Sequence, residues 1–184
     1  VSSREVLNSE DVDRTLRRIA HEVVEKNPDL SAVAVVGIHT RGVVLARRVR
    51  ALLLEMTGSE VPLGEIDISF YRDDIQTRSG DRQPVVHATR LDFQLESRTI
   101  ILVDDVLFTG RTVRAGIEAL FDYGRPARIQ LAVLCDRGHR ELPIRPDYVG
   151  KNLPTSRHER VAVSLSETDG SEGVFISSPV EVVG

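Results

Sequence analysis

The chain has 184 residues, and its 24 basic and 28 acidic side chains leave a formal net charge of −4 with a pI near 5.8, which excludes a protein coated in positive charge. An apolar share of 41% beside 28% charged residues is that of an ordinary globular protein, and no apolar run approaches the roughly 18 residues of a bilayer span. The polar start VSSREVLNSEDVDR lacks the apolar core of a signal peptide, the lone Cys135 excludes an intrachain disulfide, and the expected location is the cytoplasm.

Asn8 or Ser9 is the expected N-cap of a first helix, with Glu10 and Asp11 in its first turn. That helix sets Val12, Leu16, Ile19, Ala20 and Val23 on one face, and Pro28 stands past its end. AVAVVGI (32–38) is a continuous apolar run, the pattern of a strand buried on both faces. HTRG (39–42) reads as a turn, and VVLARRVRALLLEM as a helix stopped by Gly58. GEIDISFY (64–71) alternates Ile66, Ile68 and Phe70 with polar residues, which predicts a strand with one polar face. Residues 72–98 form a long polar excursion in which VVHATRLDFQL is a candidate hairpin arm, and a segment of that length is expected to be functional. TIILV is the next buried strand, RTVRAGIEALFDYG a helix ended by Gly124 and Pro126, and IQLAVLC another strand. DRGHRELPIRP reads as a loop, DYVG as a short strand, RVAVSLSE as a strand near the C-terminal edge, and the tail over 168–184 as peripheral. The alternation predicts a single α/β domain over 1–184 with a mainly parallel sheet.

TIILV runs directly into Asp104 and Asp105. In an open parallel sheet, ligands bind beyond the carboxyl ends of the strands. Two adjacent carboxylates repel each other unless a cation or hydroxyl donors sit between them. An isolated acidic pair more often caps a helix or pairs with an arginine. Here Thr109, Gly110, Arg111 and Thr112 open the next helix, where free N–H groups favour an anion and Gly110 permits close approach. The combination fits a ligand with hydroxyls at one end and a phosphate at the other, such as a sugar phosphate. The G-x-x-x-x-G-K-[ST] pattern of P-loops is missing.

IILVDDVLFTGRT resembles the 5-phosphoribosyl-1-pyrophosphate (PRPP) motif of type I phosphoribosyltransferases. GIHTRGVVLARRV, DISFYRDD, GRPARIQLAVL and DRGHRELPIRPDYVGKNLPTS extend the resemblance, over roughly residues 5 to 165, to the PyrR family of pyrimidine-operon RNA-binding regulators with uracil phosphoribosyltransferase activity. The fold implied is the type I phosphoribosyltransferase fold, a mainly parallel central sheet flanked by helices, with a flexible loop and a small hood. The reaction implied is uracil plus PRPP giving UMP and pyrophosphate, with Mg²⁺ entering alongside PRPP. The resemblance assigns Asp104 and Asp105 to the ribose hydroxyls, directly or through the metal. It assigns Val106, Leu107, Phe108, Thr109, Gly110, Arg111 and Thr112 to PRPP and UMP binding, with Thr109 to Thr112 on the 5′-phosphate, and Thr40, Arg41 and Gly42 to a pyrophosphate loop with a cis peptide between Thr40 and Arg41. Arg137 is expected near the base, and the segment 72–90 is expected to close over the transition state, with Arg72, Arg78, Arg82 and Arg90 as candidate pyrophosphate contacts.

Arg14, Arg17, Arg18 and His21 form a second stripe on the first helix, away from its apolar face. With His139, Arg140, Arg145, Lys151, Arg157 and Arg160 they make a basic cluster in an acidic chain. The residues that match the family's RNA contacts are Arg14, Arg18, His139, Arg140, Arg145, Lys151 and Thr155, with Lys26 standing where the family commonly has arginine. Arg17 stands where threonine is common and Phe108 where tyrosine is common. The implied partners are pyrimidine-operon leader mRNA, uridine nucleotides, and a second copy of the chain in a homodimer or larger homo-oligomer. The alternatives are a phosphoribosyltransferase without RNA regulation, and a regulator whose low-activity site serves as a UMP and PRPP sensor.

Overall fold

A computed structural model describes residues 2–72 and 87–178. Its larger sheet has five parallel strands, β2 (Val33–Ile38), β3 (Leu63–Ile66), β4 (Thr99–Leu107), β5 (Arg128–Asp136) and β6 (Tyr148–Asn152), in the order β3-β2-β4-β5-β6. Parallel neighbours require crossovers, and the helices α2 (Arg41–Thr57) and α3 (Arg111–Phe121) follow β2 and β4. The order reverses between β2 and β4, so the crevice at their carboxyl ends is the switch point at which such sheets bind ligands.

All six residues of β2 are buried, as the unbroken apolar run requires. One face of the sheet packs Val33, Val35, Ile101 and Val103 against α2 and against α1 (Ser9–Lys26). The other packs Val36, Ile38, Ile100 and Leu102 with Val113, Ala119 and Leu120 of α3. Helix α1 begins at a reciprocal capping box: Asn8 Oδ1 accepts the Asp11 N–H at 2.9 Å, and Asp11 Oδ2 accepts the Asn8 N–H at 3.1 Å. Its buried face is the expected one, Val12, Leu16, Ile19, Ala20 and Val23.

Local pattern and fold part company at four places. The expected strand GEIDISFY stops at Ile66, because Asp67 Oδ1 takes the Ser69 N–H at 2.7 Å and turns the chain, leaving Phe70 80% exposed. The candidate hairpin arm lies partly outside the described residues; over 87–95 it makes a single antiparallel bridge, Arg90 to Glu65, which covers the outer edge of β3. The strand read as TIILV continues to Leu107, because β5 keeps pairing with it as far as Asp136. The tail is structural rather than peripheral at residues 173–178: Gly173–Ser178 (β8) is the middle strand of a three-stranded antiparallel sheet, between β1 (Ser2–Leu7) and β7 (Arg160–Ser164). Its Val174 and Ile176 join the same core cluster as α1 and α2. A short helix, α4 (Ser166–Asp169), connects β7 to β8.

Candidate active site

Asp104 and Asp105 lie near the carboxyl end of β4 and line one cavity of about 290 Å³ together with Thr40, Arg41, Asp67 and Arg72. Asp104 is buried, and Asp105 is half-buried. Burial, then the charge of Asp105, pushes the Asp104 carboxyl well above the usual range, while the Asp105 N–H, donating to Asp104 Oδ1 at 2.9 Å, opposes the shift. The Val106 N–H donates to Asp105 Oδ1 at 2.8 Å. A buried carboxyl in this state gains from any cation or hydroxyl donor that enters the cavity.

A second cavity of about 320 Å³ adjoins the first, sharing Arg72, Val106 and Thr112 with it, and is formed around Phe108, Thr109, Gly110 and Arg111. Gly110 caps α3 at φ 94°, a left-handed conformation that leaves no side chain over the turn. Thr109 Oγ1 accepts the Arg111 N–H at 3.3 Å. Leu107, a PRPP-binding residue by resemblance, has its side chain in the core; its carbonyl accepts the Arg137 N–H at 3.0 Å.

Across the crevice, the turn from β2 to α2 is pressed against β4. A Cβ on Gly42 would stand 2.5 Å from the Val103 carbonyl oxygen, so only glycine fits there. The expected cis peptide falls one bond earlier than predicted, at His39–Thr40, because Arg41 already begins α2. Arg41 pairs with Asp169, with Nη2 to Oδ1 at 2.7 Å. Of the four candidate loop arginines, Arg72 lines both cavities, Arg90 bridges to β3, and Arg78 and Arg82 lie outside the described residues.

Arg137 is buried beneath the phosphate loop, its guanidinium 4.0 Å from the Phe108 ring centroid and its Nη2 donating to the Ser156 carbonyl at 3.0 Å. Arg140 also faces inward. Its Nη1 donates to the Phe108 carbonyl at 2.7 Å, its Nε to the Ile144 carbonyl at 3.0 Å, and its Nη2 pairs with Asp136 Oδ2 at 2.6 Å. Arg140, an expected RNA contact, is thus held beneath the 106–112 turn, where two backbone carbonyls and a carboxylate suit the donors of a guanidinium.

Arg14, Arg18, Lys26, Arg145 and Lys151 are exposed, whereas His139 is half-buried. Arg14 is exposed and pairs with Asp11 at 2.6 Å; Arg18 pairs with Glu22 at 2.9 Å and donates to the carbonyls of Val149 and Gly150 on β6. Lys26 reaches Asp147 at 3.0 Å. Lys151 on β6 is exposed, and its charge helps to lower the Asp11 carboxyl, after the backbone N–H of Asn8 and Arg14, which puts it beside the first turn of α1. His139 Nε2 meets the Thr155 carbonyl at 2.6 Å, Thr155 Oγ1 donates to the Arg137 carbonyl at 3.1 Å, and Arg145 is exposed.

Sequence reasoning missed His39, His87, Asp67 and Asp169. His39 and His87 stack at 4.4 Å with 3° between their rings, beside Asp67 in the first cavity. Burial, then His87, lowers the His39 pKa. Burial raises Asp67, but donors from Ser69 and His87 outweigh it and hold the carboxyl below its ordinary value. The signal for His39 was its place next to Thr40; for Asp169 there was none, since its partner is remote in sequence.

Residues 2–168 match the family model for the phosphoribosyl transferase domain. Proteins called bifunctional protein PyrR are 54% identical in Deinococcus radiodurans, over 96% of this chain and 96% of that one, and 56% identical in Thermus aquaticus, over 92% and 93%. The chain belongs to the PyrR family of phosphoribosyltransferases. Among solved structures, a hypoxanthine phosphoribosyltransferase from Staphylococcus aureus superposes with a TM-score of 0.69 at 17% identity, covering 97% of this chain and 94% of the other. One from Trypanosoma cruzi reaches 0.72, also at 17% identity, covering 97% and 92%. At that identity they report the fold, which is the type I phosphoribosyltransferase fold of the PyrR family. The two cavities lie at the switch point of that fold, with Arg140 turned inward and Arg14, Arg18 and Lys151 exposed.

Proposed function

We propose that this PyrR-family protein transfers the phosphoribosyl group of PRPP to uracil, giving UMP and pyrophosphate, and that the same site reports uridine nucleotides to a leader RNA of pyrimidine genes. What carries the reading is the identity of over half the residues with bifunctional PyrR proteins along almost the whole chain. The paired cavities support it: the two carboxylates and the start of α3 line adjoining cavities that share Arg72, Val106 and Thr112.

Asp104 and Asp105 hold the ribose hydroxyls, and their charge favours the positive centre that grows on the sugar as pyrophosphate departs with the electron pair of the C1–O bond. The backbone from Thr109 to Thr112 holds the 5′-phosphate. Thr40, Arg41 and Gly42 receive the pyrophosphate, and Arg72 is the cavity arginine nearest that role. Arg137 steadies Phe108 and the loop below the base. The adjacent carboxylates of Asp104 and Asp105 fit a divalent cation carried in by PRPP, which they would hold directly or through its water. Mg²⁺ would offset the charge of the leaving pyrophosphate.

Arg14, Arg18, Lys26 and Lys151 on α1 and β6, with Arg145, His139 and Thr155, form the RNA-contacting side, which is completed in a homodimer or larger homo-oligomer. The protein acts in the cytoplasm, as one domain over 1–184. Measuring UMP formation from uracil and PRPP, beside leader-RNA binding with and without UMP, tests both halves. Absence of UMP formation removes the enzyme; RNA binding indifferent to UMP removes the regulator.

A further inference from the structure

None of the roles above uses α4, yet both arginines that α2 turns toward the small sheet are spent on it. Asp169 takes Arg41 by two bonds, Nε to Oδ2 at 3.1 Å and Nη2 to Oδ1 at 2.7 Å. The carboxylate is itself fixed, since Oδ2 also accepts the Leu165 N–H at 2.9 Å and the Thr168 hydroxyl at 2.8 Å. Two helical turns further along α2, Arg48 anchors the same connection, with Nε to Glu167 Oε1 at 2.9 Å and Nη2 to Glu172 Oε2 at 2.9 Å. Arg41 meanwhile lines the cavity that holds Asp104 and Asp105.

A carboxylate on the Nε–Nη2 edge holds the guanidinium plane in one orientation and leaves both Nη1 hydrogens and one on Nη2 for another acceptor. Without it, a ligand must itself order a long, rotamer-rich side chain. We propose that Asp169 is a positioning residue, which orients Arg41 for the pyrophosphate group of PRPP. The inference rests on reading Thr40, Arg41 and Gly42 as the pyrophosphate loop. Its consequence is selective. PRPP and pyrophosphate use Arg41, whereas UMP carries no pyrophosphate and occupies the base, ribose and 5′-phosphate subsites alone.

The test compares PRPP, pyrophosphate and UMP binding by titration calorimetry on the full chain, in the wild type and in Asp169→Asn, with a thermal melt of each. Asp169→Asn should weaken PRPP and pyrophosphate by about tenfold or more, on the scale of losing a fixed orientation, with UMP affinity unchanged. Glu167→Gln, which loosens α4 without touching Arg41, should bind PRPP as the wild type does. In an Arg41→Gln background Asp169→Asn should have no further effect on PRPP. Unchanged or tighter PRPP binding in Asp169→Asn overturns the proposal. So does an equal loss for PRPP and UMP, or full additivity with Arg41→Gln, since either marks a merely structural role. A wild-type protein that binds UMP but no PRPP would instead remove the pyrophosphate-loop reading itself.

Discussion

Asp104 is costly to the fold and useful to the chemistry. Its folded-state pKa is raised by burial and by Asp105, so the ionised carboxyl burdens the native state once the pH passes the ordinary value of 3.8. Asp104→Asn should therefore raise the melting temperature at pH 7 by about 2–4 °C, with the gain fading below pH 3.8, while UMP formation falls by about a hundredfold or more. Paired melts and assays at the two pH values check the exchange. Arg140 presents a different case. Its type and its place in DRGHRELPIR pointed to RNA, but its bonds to the Phe108 carbonyl and Asp136 make it part of the phosphate loop's support. Arg140→Ala should lose PRPP and UMP affinity as well as RNA affinity, and cost about 1–3 kcal/mol of stability from the partners left unpaired. Arg14→Ala, at an exposed pair, should affect RNA alone. Ligand titrations of the two variants against nucleotide and RNA separate these roles. Sequence gave the charge at both positions but not its direction, because a loop's side chains are aimed by contacts from elsewhere in the chain.

At the scale of elements, α1, α2 and α3 and the buried strands were legible because each carries its own period, caps and stops. The face of α1 matched to the residue, at Val12, Leu16, Ile19, Ala20 and Val23. Of the small sheet only β7 was legible, within the expected strand RVAVSLSE. Its strands β1 and β8 pair the two ends of the chain, Ser3 opposite Ser177, and such a pairing leaves no trace in any local window. The connection between β7 and β8 is held by charge: Arg48 depresses Glu167 to about 2, and Arg41 depresses Asp169 to about 2. Both carboxyls are lowered on folding, so their contribution is present above the ordinary carboxylate values of 4.5 and 3.8 and is lost as the pH falls toward 2. Protection of residues 160–178 against hydrogen exchange, referred to the intrinsic rate at each pH, should fall in that window before the central sheet responds, and Glu167→Gln should flatten the dependence. Gly42→Ala tests the opposite wall. The added Cβ meets the Val103 carbonyl at 2.5 Å, so the turn must retreat from β4, and turnover should drop by about a hundredfold with the central sheet intact.

Across the whole molecule, the expected nucleotide and RNA residues meet on one segment. The segment after β5 touches the phosphate loop at Leu107, Phe108 and Thr109 and carries the expected RNA contacts His139 and Arg145 a few residues away. Linkage then demands reciprocity: if UMP tightens RNA binding by some factor, RNA must tighten UMP binding by the same factor. Titrations run in both orders check this, and Lys151→Ala should reduce the slope of RNA affinity against salt by about one. The sequence by itself determined the alternation of strands and helices, the acidic pair before an anion-binding turn, and membership in a family, because all three are written in runs of neighbouring residues. The tertiary structure decided what lies between the runs. It brought Asp169 to Arg41, turned Arg140 inward, carried Asp67 and the His39–His87 stack into the cavity, and made the tail the centre of a sheet. The physical reason is the same in each case: a partner's position depends on how remote segments pack, and packing is a property of the assembled core, not of any stretch of chain.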